Sequence, residues 1–240
     1  MPINLPTGSL GIDVSHWNTV NWLSVTGVRF AIVACGDGLT EVDPNAVNNI
    51  KLAKSQGLAV GAYLVVRVMG TSVTEVRGNA NAQAARFLQV IKEAGGYDGE
   101  MLPPVADVES FTDTTLMVEA LDQFCSSVDA AIRNPAQRTM IYSDLSNQSA
   151  LSRAGNVDLI KDREWWIAWY NPGTPPKVIP FNPASLIQFT DHKALSGSPK
   201  PVDWDRVLVG TAINPVVELE AENQRLKASL QQIAQIATGA

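Results

Sequence analysis

Two cysteines and two histidines in 240 residues are too few for a disulfide framework and leave little with which to build a metal centre. Cys35 falls in a strand-like run and Cys125 in a helix-like one, so they read as two separate buried thiols. His16 and His192 show no HExxH spacing, and no CxxC pair accompanies them, so no metal or organic cofactor is expected. Basic residues are also scarce: 18 Lys and Arg against 24 Asp and Glu give a net charge of −6. Without a basic run, an electrostatic grip on nucleic acid or anionic lipid is not expected. No stretch of about 18 apolar residues is present, so membrane insertion is not expected either. The opening MPINLPTGSL has neither a charged n-region nor an apolar h-region, and we expect no export signal. The missing GxSxG, GxxxxGK[ST] and GxGxxG patterns remove serine-nucleophile chemistry and nucleotide binding.

What the chain does have is a 45% hydrophobic composition, enough for one large core. Short apolar runs recur: LGIDVS, FAIVAC (30–35), LAVGAYLVV (58–66), PPVADVE (103–109), MIYS (140–143), WWIAWY (165–170) and SLIQFT (185–190). Helix-patterned segments separate them, clearest at 43–56, 72–94 and 114–133, the first two ending at glycine. Continuous apolar strands alternating with helices predict a mainly parallel sheet covered on both faces, and this many strands predict a closed α/β barrel. After Trp169 the helices give way to Pro- and Gly-rich connections, so the second half is expected to be richer in strand. The barrel domain is placed at 1–210.

A new element begins at Asn214-Pro215, a helix cap followed by proline at the first helical position. Over 214–240 a heptad seam runs Val216, Leu219, Asn223, Leu226, Leu230, Ile233 and Ala237, with Glu222 and Lys227 at flanking positions. This predicts a coiled coil and a homo-oligomer through residues 216–237; the alternative is an amphipathic helix docked on the parent domain.

Four acids fall at or just past strand ends: Asp13, Asp107, Glu109 and Asp203. In a parallel barrel the strand C-termini gather on one face, so distant acids can share one cleft. Asp107 and Glu109 are two apart on a strand, about 7 Å at Cα, and point to the same side. Crowded carboxylates split their titrations, giving one proton donor and one anion, the division of labour that glycoside cleavage needs. Singly, each has a plainer reading: a helix cap for the Asp of a D-x-E triplet, loop caps for Asp203 and Asp205, an Asx-turn with the Ser15 and His16 amides for Asp13. Tyr63, Tyr142 and Tyr170 are assigned to sugar contacts because their hydroxyls suit a polar cleft, although strand aromatics are more often core.

Taken in order, GIDVSHW, FAIVACGDG with VDPNAVNNIKLAKSQGLAVGAY, LPPVADVE, MIYS, WWIAWY, SLIQFT and PVDWD resemble the glycoside hydrolase family 25 muramidases over about residues 9–209. The resemblance implies a modified TIM-like barrel, with five β/α units and then strands without helices. It implies cleavage of the β-1,4 bond after N-acetylmuramic acid in peptidoglycan, with wall glycan as partner, and the lack of an export signal together with the helical tail fits a phage endolysin. It also implies Glu109 as general acid and Asp107 as the group that orients the reacting centre, by holding the 2-acetamido group if that group is the internal nucleophile. Asp13 and Asp203 complete the acidic pocket, and Gln188 lines the same face. Three positions depart from the family pattern: Ala34 for a lysine, Asp37 for a glutamate and Leu64 for a histidine. They motivate a rival expectation, an idle barrel that binds wall glycan or serves as a phage structural part. A chitinase-type enzyme is a third possibility, weakened by Pro103 and Val105 where spaced aspartates would stand.

Overall fold

The apolar runs pair edge to edge until the first meets the last. The computed structural model describes residues 3–98, 100–134, 137–170, 181, 184–208 and 210–211, and all structural statements concern these. In chain order the strands are β1 (Ile3–Pro6), β2 (Leu10–Val14), β3 (Phe30–Asp37), β4 (Glu41–Val42), β5 (Ala59–Val65) and β6 (Val105–Val108). They continue as β7 (Met140–Asp144), β8 (Trp165–Ala168), β9 (Ala184–Lys193), β10 (Val202–Val207) and β11 (Gly210–Thr211). The helices are α1 (Ala46–Ser55), α2 (Val73–Glu93), α3 (Thr114–Ile132) and α4 (Leu145–Leu151). Strands β2, β3, β5, β6, β7, β8, β9 and β10 form a closed eight-stranded barrel, with β4 added to the end of β3 and a separate β1–β11 pair.

Within the barrel, pairing is parallel from β2 round to β9, and of its eight strands only β10 runs the other way, hydrogen-bonded to both β9 and β2. Helices follow the strands through β7, and among the described residues none lies between β8 and β10. The expected barrel with a strand-rich second half is therefore present. The tail from 214 onward, with its heptad seam, lies outside the described residues.

Side-chain alternation divides the interior in two. Ala31, Val33, Ala106, Val108, Ile141 and Ile167 point outward and pack beneath helix residues such as Phe87, Leu121 and Phe124. Phe30, Ile32, Val105, Met140, Trp166, Leu186 and Val207 point inward and fill the barrel as a plug. Gly11 of β2 has no room for a side chain, since a Cβ there would sit 2.2 Å from the Phe30 ring. Helix starts are fixed locally: Ser72 and Glu75 form a reciprocal capping box on α2, and Asp113 accepts the Leu116 amide at the start of α3.

Candidate active site

Following each strand two residues beyond the plug leads to the same layer. Gly11 is followed by Asp13, Ile32 by Ala34, Gly61 by Tyr63, Val105 by Asp107, Met140 by Tyr142 and Leu186 by Gln188. Because β10 is antiparallel, it reaches this layer in reverse, from Val207 through Asp205 to Asp203 at its beginning. The period of two thus turns an apolar plug into a polar floor at the mouth where the parallel strands end.

The acids converge as expected. Asp203 pairs directly with Asp13 across β10 and β2, and Asp107 lies beside Tyr142 across β6 and β7. Asp13 and Asp107 are buried, at 5% and 4% exposure, while the Glu109 side chain is 56% exposed at the rim. An open cleft of about 300 Å³ lies above, lined by Tyr63, Glu109, Asp203, Ala34, Asp37 and Trp17, among others. Asp13 forms the deeper floor. It is not the centre of an Asx-turn: the Ser15 amide donates to Asn18 Oδ1 (2.9 Å) and the His16 amide to Asp43 Oδ2 (2.6 Å). Asp13 Oδ2 instead accepts from Gln188 Nε2 at 2.8 Å, a contact across 175 residues of chain.

Gln188 is itself fixed, because Tyr142 and Tyr170 both donate their hydroxyls to its Oε1, at 2.8 and 2.6 Å. The structure therefore uses these two tyrosines to orient the amide, whereas Tyr63 faces the cleft. Burial raises the Tyr170 hydroxyl to about 12, so it remains a donor at neutral pH.

Electrostatics separate the acids. Burial raises Asp107 well above the carboxylate range, and the neighbouring Glu109 charge adds to it. One Asp107 oxygen, Oδ1, is buried with no hydrogen-bond partner. Burial first and the Asp203 charge second raise Asp13. Asp203 is raised to about 6, again chiefly by burial, with Asp191 contributing.

Three features of the site were given no catalytic or binding assignment from the sequence. Trp17 is 74% exposed at the cleft, its ring 4.3 Å from that of His16. Its place at the end of GIDVSHW was the available signal. Arg67 grips Asp37 with both Nε (2.7 Å) and Nη2 (2.6 Å), donates to Ser110 Oγ, and keeps Nη2 3.6 Å from Glu109. Asp37, one of the departures from the family pattern, is thus a clamp on a cation beside the rim acid. Asp205, read as a loop cap, is instead fully buried in β10 and accepts the Trp166 indole N–H at 2.9 Å.

The profile of the glycosyl hydrolases family 25 matches residues 12–198. The chain belongs to this family. It is a glycosidase of the lysozyme type. Among solved structures it is similar to the spore cortex lytic enzyme SleM of Clostridium perfringens, 26% identical with a TM-score of 0.72, over 85% of this chain and 68% of that one. It is equally similar to a bacterial lysozyme from Streptomyces coelicolor, 25% identical with a TM-score of 0.71, over 85% of this chain and 94% of that one. An Escherichia coli K12 protein, the uncharacterized YegX, is 27% identical over 88% of this chain and 72% of its own length.

The unpartnered Asp107 yields a stability prediction. A carboxyl whose proton affinity is raised by folding loses stability as pH climbs from the unfolded value, about 3.9, through the folded one. Asp107→Asn removes that ionisation. We predict a melting temperature at pH 7 higher than wild type by about 2–4 °C, with the gap closing toward pH 4. Thermal melts across pH 4–8 measure it, and an equal or lower melting temperature at pH 7 would contradict the assignment.

Proposed function

We propose that this family 25 glycosidase cleaves the β-1,4 bond between N-acetylmuramic acid and N-acetylglucosamine in peptidoglycan, with Glu109 as the proton donor. The observation that carries the reading is the contrast between two neighbouring acids. Glu109 stands at the open rim within reach of a glycosidic oxygen, and Asp107 is buried two residues earlier with an unpaired oxygen. A leaving sugar needs a proton from an accessible acid, and the centre that develops positive charge needs an anion or an oriented neighbour.

In this scheme Asp107 orients the substrate's 2-acetamido group from beneath the rim, so that the group's carbonyl oxygen faces the anomeric carbon. Asp203 and Asp13 supply negative potential beneath the oxocarbenium-like centre. Tyr63 and Trp17 offer ring faces to the sugars, since both line the cleft. Arg67, held by Asp37, keeps Glu109 at the rim without a two-pronged pairing that would withdraw it from substrate. Ala34 removes a polar group from the cleft lining relative to the family pattern, whereas Leu64 packs outward in the core beneath the helices and does not reach the floor. The setting we propose is phage-type, with synthesis in the host cytoplasm and passage to the wall by a separate membrane-permeabilising protein.

Glu109→Gln keeps the side chain's shape and removes the transferable proton. Clearing of a purified cell-wall suspension is expected to slow by at least about a hundredfold, the usual worth of a general acid. Equal clearing rates reject the role of Glu109, and no clearing by wild type supports the idle barrel. For the setting, cells expressing the wild-type chain alone are expected to stay intact and to lyse once a membrane-permeabilising protein is co-expressed. Lysis by the chain alone contradicts it.

A further inference from the structure

Below the floor of the cleft, three carboxyl groups make a column from the cleft into the barrel: Asp203, Asp13 and Asp205. The β10–β2 register sets Asp203 opposite Asp13 and Asp205 opposite Gly11, so Asp205 lies one step further into the barrel than Asp13. Asp203 is the direct cross-strand neighbour of Asp13, and Asp205 follows it on the same face of β10, with both acids acting electrostatically on Asp13. Asp205 has 0% exposure. Its Oδ1 accepts the Trp166 indole N–H, and its Oδ2 receives no N–H or O–H from any other side chain or amide among the described residues.

Two neighbouring carboxyl groups away from water cannot both be anions, so a proton lies between them. Its position follows from the other donors. Asp13 already accepts the Gln188 amide N–H, in the orientation that lets both tyrosine hydroxyls donate to the amide oxygen. Asp205 receives a single neutral indole donor. The proton therefore sits on Asp205, and Asp13 is the acceptor.

We infer that Asp205 is a positioning residue, which donates a hydrogen bond to Asp13 and so fixes the orientation and charge of the acid floor. The inference rests on the proposed glycosidase reading for its catalytic consequence, but not for the proton. The groups facing Asp205 are Asp13 from β2, Asp203 on its own strand and Tyr142 from β7, with the neutral Gln188 and Trp166 from β9 and β8. None is a cation. Burial and then the Asp13 charge both favour the protonated form. Raising pH until Asp205 ionises puts a second buried anion against Asp13, which breaks the donor contact and repels the floor. Because the folded protein keeps a proton that the unfolded chain has released, stability falls with rising pH from about 3.9 upward.

The test compares wild type, Asp205→Asn and Asp205→Ala in the full chain. Asparagine keeps an oxygen for the Trp166 indole and a permanent N–H for Asp13, whereas alanine keeps neither. Asp205→Ala is expected to lower kcat on solubilised peptidoglycan at least about tenfold with little change in KM, and Asp205→Asn to recover most of that loss. The alkaline limb of the kcat profile is expected to move up by on the order of one pH unit in Asp205→Asn. The decline of melting temperature with pH is expected to flatten in the same variant. A wild-type pH profile and wild-type melting curve in Asp205→Asn overturn the inference, as does an Asp205→Asn protein that melts cooperatively but is no more active than Asp205→Ala. Should wild type fail to hydrolyse peptidoglycan at all, the proposed function falls, and the melting curves still decide where the proton lies.

Discussion

The site depends on how the barrel closes. Seven strands run parallel, and closure requires an eighth that hydrogen-bonds both to β9 and to β2. Because that strand is antiparallel, its beginning rather than its end meets the catalytic mouth, and VDWD delivers Asp203 and Asp205 against Asp13. The Gln188–Asp13 hydrogen bond then ties the ninth strand to the second across the closure. If this register slipped by one residue, both β10 acids would point into the apolar outer shell. Fold and acid floor are therefore one constraint seen at two scales.

The arrangement also shows how a stable barrel tolerates a costly site. The plug of Phe30, Ile32, Met140, Trp166 and Leu186 supplies apolar packing, and the acids sit in the next layer up, with Asp205 reaching down to the level of Gly11 and Trp166. Burial in that layer raises the proton affinities of Asp13, Asp107 and Asp205 together. Each such shift costs stability near neutral pH, a cost that a purely structural layer would avoid by using apolar residues. Groups kept against that cost mark the layer as functional.

Much of this was legible from the residues, and what was not has a physical reason. Strand runs and helix periods showed the barrel, because continuous apolar strands occur where both faces are covered. Asp13, Asp107, Glu109 and Asp203 could be grouped because strand ends of a parallel barrel converge. Asp205 had only the alternative of a loop cap, because the alternation in VDWD places it with Asp203 only once β10 is known to cross the barrel mouth; a short acidic run near prolines reads locally as a loop. The Asx-turn weighed as the alternative at Asp13 is absent for a similar reason. Asn18 and Asp43, one of them 27 residues beyond His16, capture the local amides instead. Tyr142 and Tyr170 were assigned to sugar contacts, but that both hydroxyls converge on Gln188 Oε1 follows from β7, β9 and the end of β8 meeting, which no local pattern encodes.

The central claim is that this acid floor and the rim carboxyl above it break one particular bond of the wall glycan. Mass spectrometry of the soluble fragments released from purified cell wall by the wild-type protein tests it most directly. The account predicts new reducing ends on N-acetylmuramic acid. Reducing ends on N-acetylglucosamine, or fragments released by peptide cleavage with the glycan intact, would contradict it.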